Sequence, residues 1–156
     1  MKHLKIGDKA PAFSALDQEG NTLKLSDFEG KRVVIYFYPK DDTPGCTAQA
    51  CNIRDNYQTL QNEDIVILGV SADGEKKHQK FIAKYELPFS LIADEEKELI
   101  NLYGVWGEKK FMGRIYDGIH RTTFLLDEHH LIIGIIEKPK TKDHTREILE
   151  IFEENK

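Results

Sequence analysis

The string Arg32-Val33-Val34-Ile35-Tyr36-Phe37-Tyr38 and the string Ile65-Val66-Ile67-Leu68-Gly69-Val70-Ser71 are continuous runs of β-branched, aromatic and aliphatic residues. Each has the length of a strand buried on both faces and is too short for a helix. Between them, Cys46, Ala50, Ile53, Tyr57 and Leu60 recur at steps of four, three, four and three. That period predicts one helix running to about Leu60, with these residues on its buried face. Phe81, Ile82 and Tyr85 predict a helix ending before Pro88, and residues 89–92 a short strand. Residues 96–103 predict a short helix. Residues 122–126 and 131–136 predict a hairpin turning at Asp127-Glu128-His129-His130. A last helix carries Ile148, Ile151 and Phe152 on one side. Near the start, residues 13–16 and 22–25 predict a small hairpin around Glu19-Gly20-Asn21.

Strand, helix, strand, helix, hairpin and closing helix describe an α/β layered domain. Its β-helix-β crossover is expected to be parallel and right-handed. The length of 156 residues suits one domain, taken as residues 1–156, and we see no repeat or linker. The net charge of -5 gives no reason to expect nucleic acid or an anionic membrane as a partner. The N-terminal residues have no apolar segment and no small-residue cleavage site, so no signal peptide is expected. No apolar run approaches membrane-spanning length. A cytoplasmic location follows as the default, and in a reducing compartment a cysteine pair points to catalysis before structure.

The chain has two cysteines, and both lie just after the first of the two buried apolar strands, in Pro39-Lys40-Asp41-Asp42-Thr43-Pro44-Gly45-Cys46 and at Cys51. Pro39 ends the strand because proline cannot donate to a ladder. Thr43-Pro44 reads as N-cap and first residue of a helix, which puts Cys46 at its third position. There the sulfur lies near free backbone N–H groups and the positive end of the helix dipole, and both favour thiolate over thiol. Gly45, without a side chain, is expected to leave room for a small substrate beside the sulfur. Cys51 is roughly 140° around the helix from Cys46, with the Cα atoms roughly 8–9 Å apart. A disulfide needs about 4.4–6.8 Å. The two sulfurs can therefore bond only if the first turns unwind. Cys51 can also be read as a packed core thiol. The spacing does not fit a zinc site, which favours close C-x₂-C pairs with matching histidines, nor a C-x-x-C oxidoreductase.

Pro39, Thr43 and Cys46, in the spacing P-x-x-x-T-x-x-C, resemble the active-site signature of the peroxiredoxins. The longer match from Tyr36 through Cys51, with Gly104-Val105-Trp106-Gly107-Glu108-Lys109 and Gly118-Ile119-His120-Arg121-Thr122-Thr123-Phe124, is similar to the bacterioferritin-comigratory, or Q-type, subgroup. The resemblance covers nearly the whole chain. It implies a thioredoxin-like fold, with a central mixed β-sheet flanked by helices and an N-terminal β-hairpin. It implies thiol-dependent reduction of hydrogen peroxide and organic hydroperoxides, as antioxidant defence. Cys46 would attack the peroxide and become a sulfenic acid, Thr43 would orient the peroxide, and Pro39 would shield the site. Arg121, at the start of a strand, would stabilise the thiolate and the leaving oxygen. Cys51 would resolve the sulfenic acid as an intramolecular disulfide, which thioredoxin or a similar dithiol would reduce. No metal or organic cofactor is implied. Position 49 is Gln where many relatives carry Glu; both can accept from an arginine, but Gln carries no charge.

Read without the resemblance, Arg121 is an ordinary surface arginine at a strand start. Trp106 is either a wall of the substrate mouth or a packed loop aromatic. Lys76, Lys77 and Lys80 read as a solvated helix face, His129 and His130 as turn residues pointing apart, and His120 as a neighbour of Arg121 on the opposite strand face. Three functions stand side by side: a monomeric two-cysteine peroxidase, with a weak homodimer as the alternative state; a one-cysteine peroxidase with Cys51 inert; and a redox sensor whose helix changes on Cys46 oxidation.

Overall fold

The computed structural model describes residues 4–156; Met1, Lys2 and His3, which open the stretch read above as lacking a signal peptide, lie outside the described residues. In chain order the elements are β1 (Ser14–Leu16), β2 (Thr22–Lys24), a 3-10 turn at Leu25–Phe28, β3 (Arg32–Phe37), α1 (Pro44–Asp55), α2 (Tyr57–Asn62), β4 (Ile65–Ser71), α3 (Glu75–Tyr85), β5 (Ser90–Ala93), α4 (Glu98–Leu102), β6 (Trp106–Phe111), β7 (Arg114–Ile119), β8 (Thr122–Leu126), β9 (Ile132–Ile136) and α5 (His144–Glu154).

A five-stranded sheet runs in the order β5-β4-β3-β8-β9. β3, β4 and β5 are parallel, while β8 runs antiparallel to β3 and β9 to β8. The mixed sheet, the parallel crossover and the N-terminal β1–β2 hairpin match the sequence expectation. β3 is the centre, and its residues alternate between two cores as strand geometry requires. Val33, Ile35 and Phe37 pack with Leu99, Ile100 and Tyr103 of the α4 side. Val34, Tyr36 and the following Tyr38 pack with Cys46, Ala50, Ile53, Phe81, Ile148 and Phe152, under α1, α3 and α5. Each fully buried side chain of this kind contributes roughly 1.5–3 kcal/mol, so the strand that delivers the Pro39 loop is held from both sides.

Two elements differ from the expectation. The helix over Cys46 does not continue to Leu60: Asn56 breaks it, with φ -114° and ψ 14°. The Asn56 amide donates to the Asn52 carbonyl (2.8 Å), so a side chain takes over an acceptor at the end of the helix. The register of the stripe survives because α2 restarts at Tyr57 and still buries Leu60. Residues 106–119, left without a strand in the sequence reading, form the antiparallel β6–β7 ribbon. Its turn, Met112-Gly113, has both φ values positive, at 50° and 78°. That is the two-residue turn usually announced by Asn-Gly or Asp-Gly, and Met at the first position hides it.

Candidate active site

Helix α1 begins at Pro44, as the Thr43-Pro44 pair predicts, and Cys46 takes its third position. The first backbone donor spent inside the helix is that of Thr47, which bonds the Thr43 carbonyl (2.8 Å). The N–H groups of Gly45 and Cys46 therefore lie ahead of the intrahelical ladder. Cys46 is buried, with 2% of its surface exposed, on the stripe that also buries Gln49, Ala50 and Ile53. Cys51 is half-buried, and both thiols are free. The helix between them is intact, so the separation argued from spacing holds in this state.

Arg121 is the residue that sequence spacing alone could not bring to Cys46. It stands immediately before β8, which pairs with β3, so the sheet register carries it to the end of β3 where α1 starts. Its Nη2 donates to Cys46 Sγ (3.4 Å) and its Nη1 donates to Gln49 Oε1 (2.8 Å). Gln49 sits one turn along from Cys46 and is fully buried. Its amide nitrogen has no partner among the described residues. The space above Gly45 is filled by Arg121: a Cβ there would lie 3.1 Å from Nη2 and 3.8 Å from Cζ. The missing side chain thus admits the guanidinium.

Thr43 occupies the cap position, but its hydroxyl caps nothing. It donates to the Lys40 carbonyl (2.9 Å). With its proton engaged there, the oxygen has lone pairs left to accept from an O–H donor. Pro39 is half-buried at the bend after β3.

The loop between Pro39 and Thr43 is stitched down by residues the sequence reading passed over. Asp41 is 8% exposed and accepts from the Tyr38 hydroxyl on Oδ1 (2.5 Å), while His78 Nδ1 lies 2.6 Å from Oδ2. The other His78 nitrogen faces the Ile92 carbonyl (2.9 Å), a pure acceptor, so it carries a hydrogen. The Asp41 N–H donates to Asp73 Oδ2 (2.8 Å), and Asp42 accepts from Lys84 Nζ (2.8 Å) and Tyr85 Oη (2.7 Å). Those two donors hold the Asp42 carboxyl below its usual range. The only advance signal for this clamp is a pair of aspartates in a loop beside a histidine inside an otherwise lysine-rich helix.

The remaining candidates fall outside the cluster. Trp106 starts β6 and packs against the α4-side core, with Lys97 Nζ 5.1 Å from its ring centre. The His120 ring meets the Glu108 carbonyl (3.0 Å). His129 is exposed, and His130 is buried against the Phe28 carbonyl (2.9 Å). Lys76, Lys77 and Lys80 are exposed.

The family model described as AhpC/TSA matches residues 6–135. The chain is 46% identical over 155 residues to peroxiredoxin Bcp of Escherichia coli, covering 99% of each. Among solved structures it is similar to a cysteine mutant of Xylella fastidiosa PrxQ, with TM-score 0.91, 30% identity and 99% of both chains covered. It is also similar to the Xanthomonas campestris bacterioferritin comigratory protein, studied for alkyl peroxide reduction, with TM-score 0.85, 31% identity and 92% of both chains covered.

Proposed function

Because this chain belongs to the AhpC/TSA family and is a thiol peroxidase of the peroxiredoxin type, we propose that Cys46 is its peroxide-reacting sulfur and Cys51 its resolving partner. The observation that carries this reading is the Arg121 guanidinium donating to Cys46 Sγ at 3.4 Å beside a helix N-terminus. A fixed positive charge there stabilises the thiolate and then the negative charge that grows on the departing oxygen.

The Cys46 thiolate attacks one oxygen of the hydroperoxide. The O–O bond breaks, the other oxygen leaves as alkoxide or hydroxide and takes a proton, and the sulfur becomes a sulfenic acid. Thr43 Oγ1 accepts from the peroxide O–H while its own proton rests on the Lys40 carbonyl. Pro39 shields the sulfur from bulk water. The first turns of α1 then open, Cys51 attacks the Cys46 sulfur, an S–S bond forms and water leaves. A dithiol of the thioredoxin kind returns both cysteines to thiols and is itself oxidised to a disulfide. The 156 residues act as one monomeric domain, in a reducing cytoplasm where free thiols persist. Among the described residues no helix is long and apolar enough to cross a membrane. Substrates are hydrogen peroxide and organic hydroperoxides; no resident cofactor enters these steps.

The test is chemical. After one equivalent of peroxide, peptide mass spectrometry should find a Cys46–Cys51 disulfide within one chain, and Cys51→Ser should instead yield a dimedone adduct on Cys46. An adduct on neither sulfur, or a disulfide only between chains, contradicts the proposal.

A further inference from the structure

Arg121 reaches Cys46 from a two-residue connection between β7 and β8, and that connection is held by groups on β6, on Val105 just before it and on β8. The His120 N–H donates to the Val105 carbonyl (2.7 Å) and the His120 ring meets the Glu108 carbonyl (3.0 Å). The His120 carbonyl accepts from Thr122 Oγ1 (2.8 Å). The Ile119 carbonyl, two residues before Arg121, accepts from the Lys109 ammonium (2.9 Å). Lys109 is opposite Tyr116 in the ribbon, and Gly107 is opposite Gly118. To reach Ile119 the Lys109 stem must therefore cross β7 diagonally over Gly118. A Cβ at Gly118 would stand 3.0 Å from Lys109 Cδ, so the glycine makes the crossing possible. Lys109 is half-buried, unlike Lys110 beside it.

We propose that Lys109 is a positioning residue of the peroxidase reaction, bracing the backbone that presents Arg121 to Cys46. Partial burial and then Arg121 push the Lys109 pKa down, and the Cys46 sulfur opposes them, so the three groups feel one another. The other titratable groups felt from around this site are Tyr36 on β3, whose hydroxyl burial and then Cys46 push upward, and His144 on α5, which feels Arg121. Cys51 lies on the helix of Cys46 itself. Lys109 touches neither sulfur nor substrate in the proposal; it acts through Arg121.

This inference rests on Cys46 being the reacting sulfur, so the experiment separates the two. In a Cys51→Ser background, where Cys46 is the one remaining thiol, two quantities are measured for the parent, Lys109→Met and Gly118→Ala. One is the single-turnover rate with hydrogen peroxide, and the other is the pH midpoint of Cys46 alkylation by neutral iodoacetamide. Lys109→Met should slow the peroxide step about tenfold and move the alkylation midpoint upward. Gly118→Ala, which keeps the lysine but displaces its stem, should move both in the same direction. An unmoved midpoint in Lys109→Met overturns the inference, even with a slower peroxide step, because a purely structural prop would give that pattern. Peroxide reduction surviving in Cys46→Ser overturns the proposed function as well; an inactive Cys46→Ser with Lys109→Met equal to the parent overturns the Lys109 assignment alone.

Discussion

Arg121 straddles the first turn of α1, with Nη2 at 3.4 Å from Cys46 Sγ and Nη1 at 2.8 Å from Gln49 Oε1. The fork holds two residues of one helix face, spaced i and i+3, and it does so through the gap above Gly45. A lysine would have to serve both acceptors from a single nitrogen, without the fixed fork that spans them here.

Gly45→Ala is expected to displace the guanidinium, because the new methyl would stand 3.1 Å from Nη2. Gly45 does not have a positive φ, so the helix itself tolerates alanine. The peroxide step should slow by roughly tenfold or more, toward the roughly 10²–10³ that loss of one charge-stabilising donor costs. Stopped-flow oxidation of Cys46 checks this; an unchanged rate in a folded variant would remove Arg121 from the mechanism as drawn.

How far the sequence carries the site depends on which interactions are local. The position of Cys46 at the third residue of α1 follows from Thr43-Pro44 and from the stripe through Ala50 and Ile53, all within one helix. The Arg121 contact does not: it depends on β8 lying antiparallel to β3, a pairing across about ninety residues of chain that periodicity does not encode. The Asp41–His78 clamp is not legible for the same reason, since its members sit on a loop and on a different helix. The β6–β7 ribbon is not legible because Phe111, Met112, Ile115 and Tyr116 are exposed, so no buried face imposes an alternating pattern. The break at Asn56 hid behind a stripe that stays in phase across it.

Gln49 tethers Arg121 but leaves its own amide nitrogen buried and unpartnered among the described residues. An orphan buried donor costs about 1–3 kcal/mol. Gln49→Glu removes that donor and keeps an acceptor for Nη1, so the folded state should survive with Arg121 in place. Gln49→Leu keeps the shape, loses the tether, and should lower the peroxide rate about tenfold. Equal rates for wild type and Gln49→Leu would show that Arg121 needs no anchor.

Asn52, next to Cys51, joins α1 to α5. Its Oδ1 accepts from the Thr145 N–H (2.8 Å) and its Nδ2 donates to the Lys142 carbonyl (3.0 Å). In the proposed reaction, opening of the helix for disulfide formation would have to work against this tie or leave it intact by moving the Cys46 end alone. Asn52→Ala should cost about 1 kcal/mol of stability, as loss of a helix cap does. It should also speed disulfide formation relative to sulfinic acid formation at high peroxide. Thermal denaturation and intact mass after graded oxidation read both; more sulfinic acid in the variant would contradict the expected direction.

His144 should give the fold a pH dependence. It is fully buried between Glu147 Oε1 (3.0 Å from Nδ1) and Thr123 Oγ1 (2.9 Å from Nε2). Burial pushes its pKa below the ordinary 6.5, with Glu147 opposing and Arg121 adding. As pH falls through the ordinary value the unfolded chain takes up a proton that the folded chain refuses, so stability falls with pH until the folded histidine also protonates. Between about pH 7.5 and about pH 5.5, wild type should lose more thermal stability than His144→Gln. Parallel curves for the two proteins would assign the acid sensitivity elsewhere.

The most direct test of the account is peroxide turnover with a thioredoxin-type dithiol, its reductase and NADPH, for wild type, Cys46→Ser and Cys51→Ser. The account predicts sustained turnover in wild type, none in Cys46→Ser, and a single turnover that then stalls in Cys51→Ser. Sustained turnover in Cys51→Ser at the wild-type rate would contradict it, leaving Cys51 a packed thiol on an α1 that never needs to unwind.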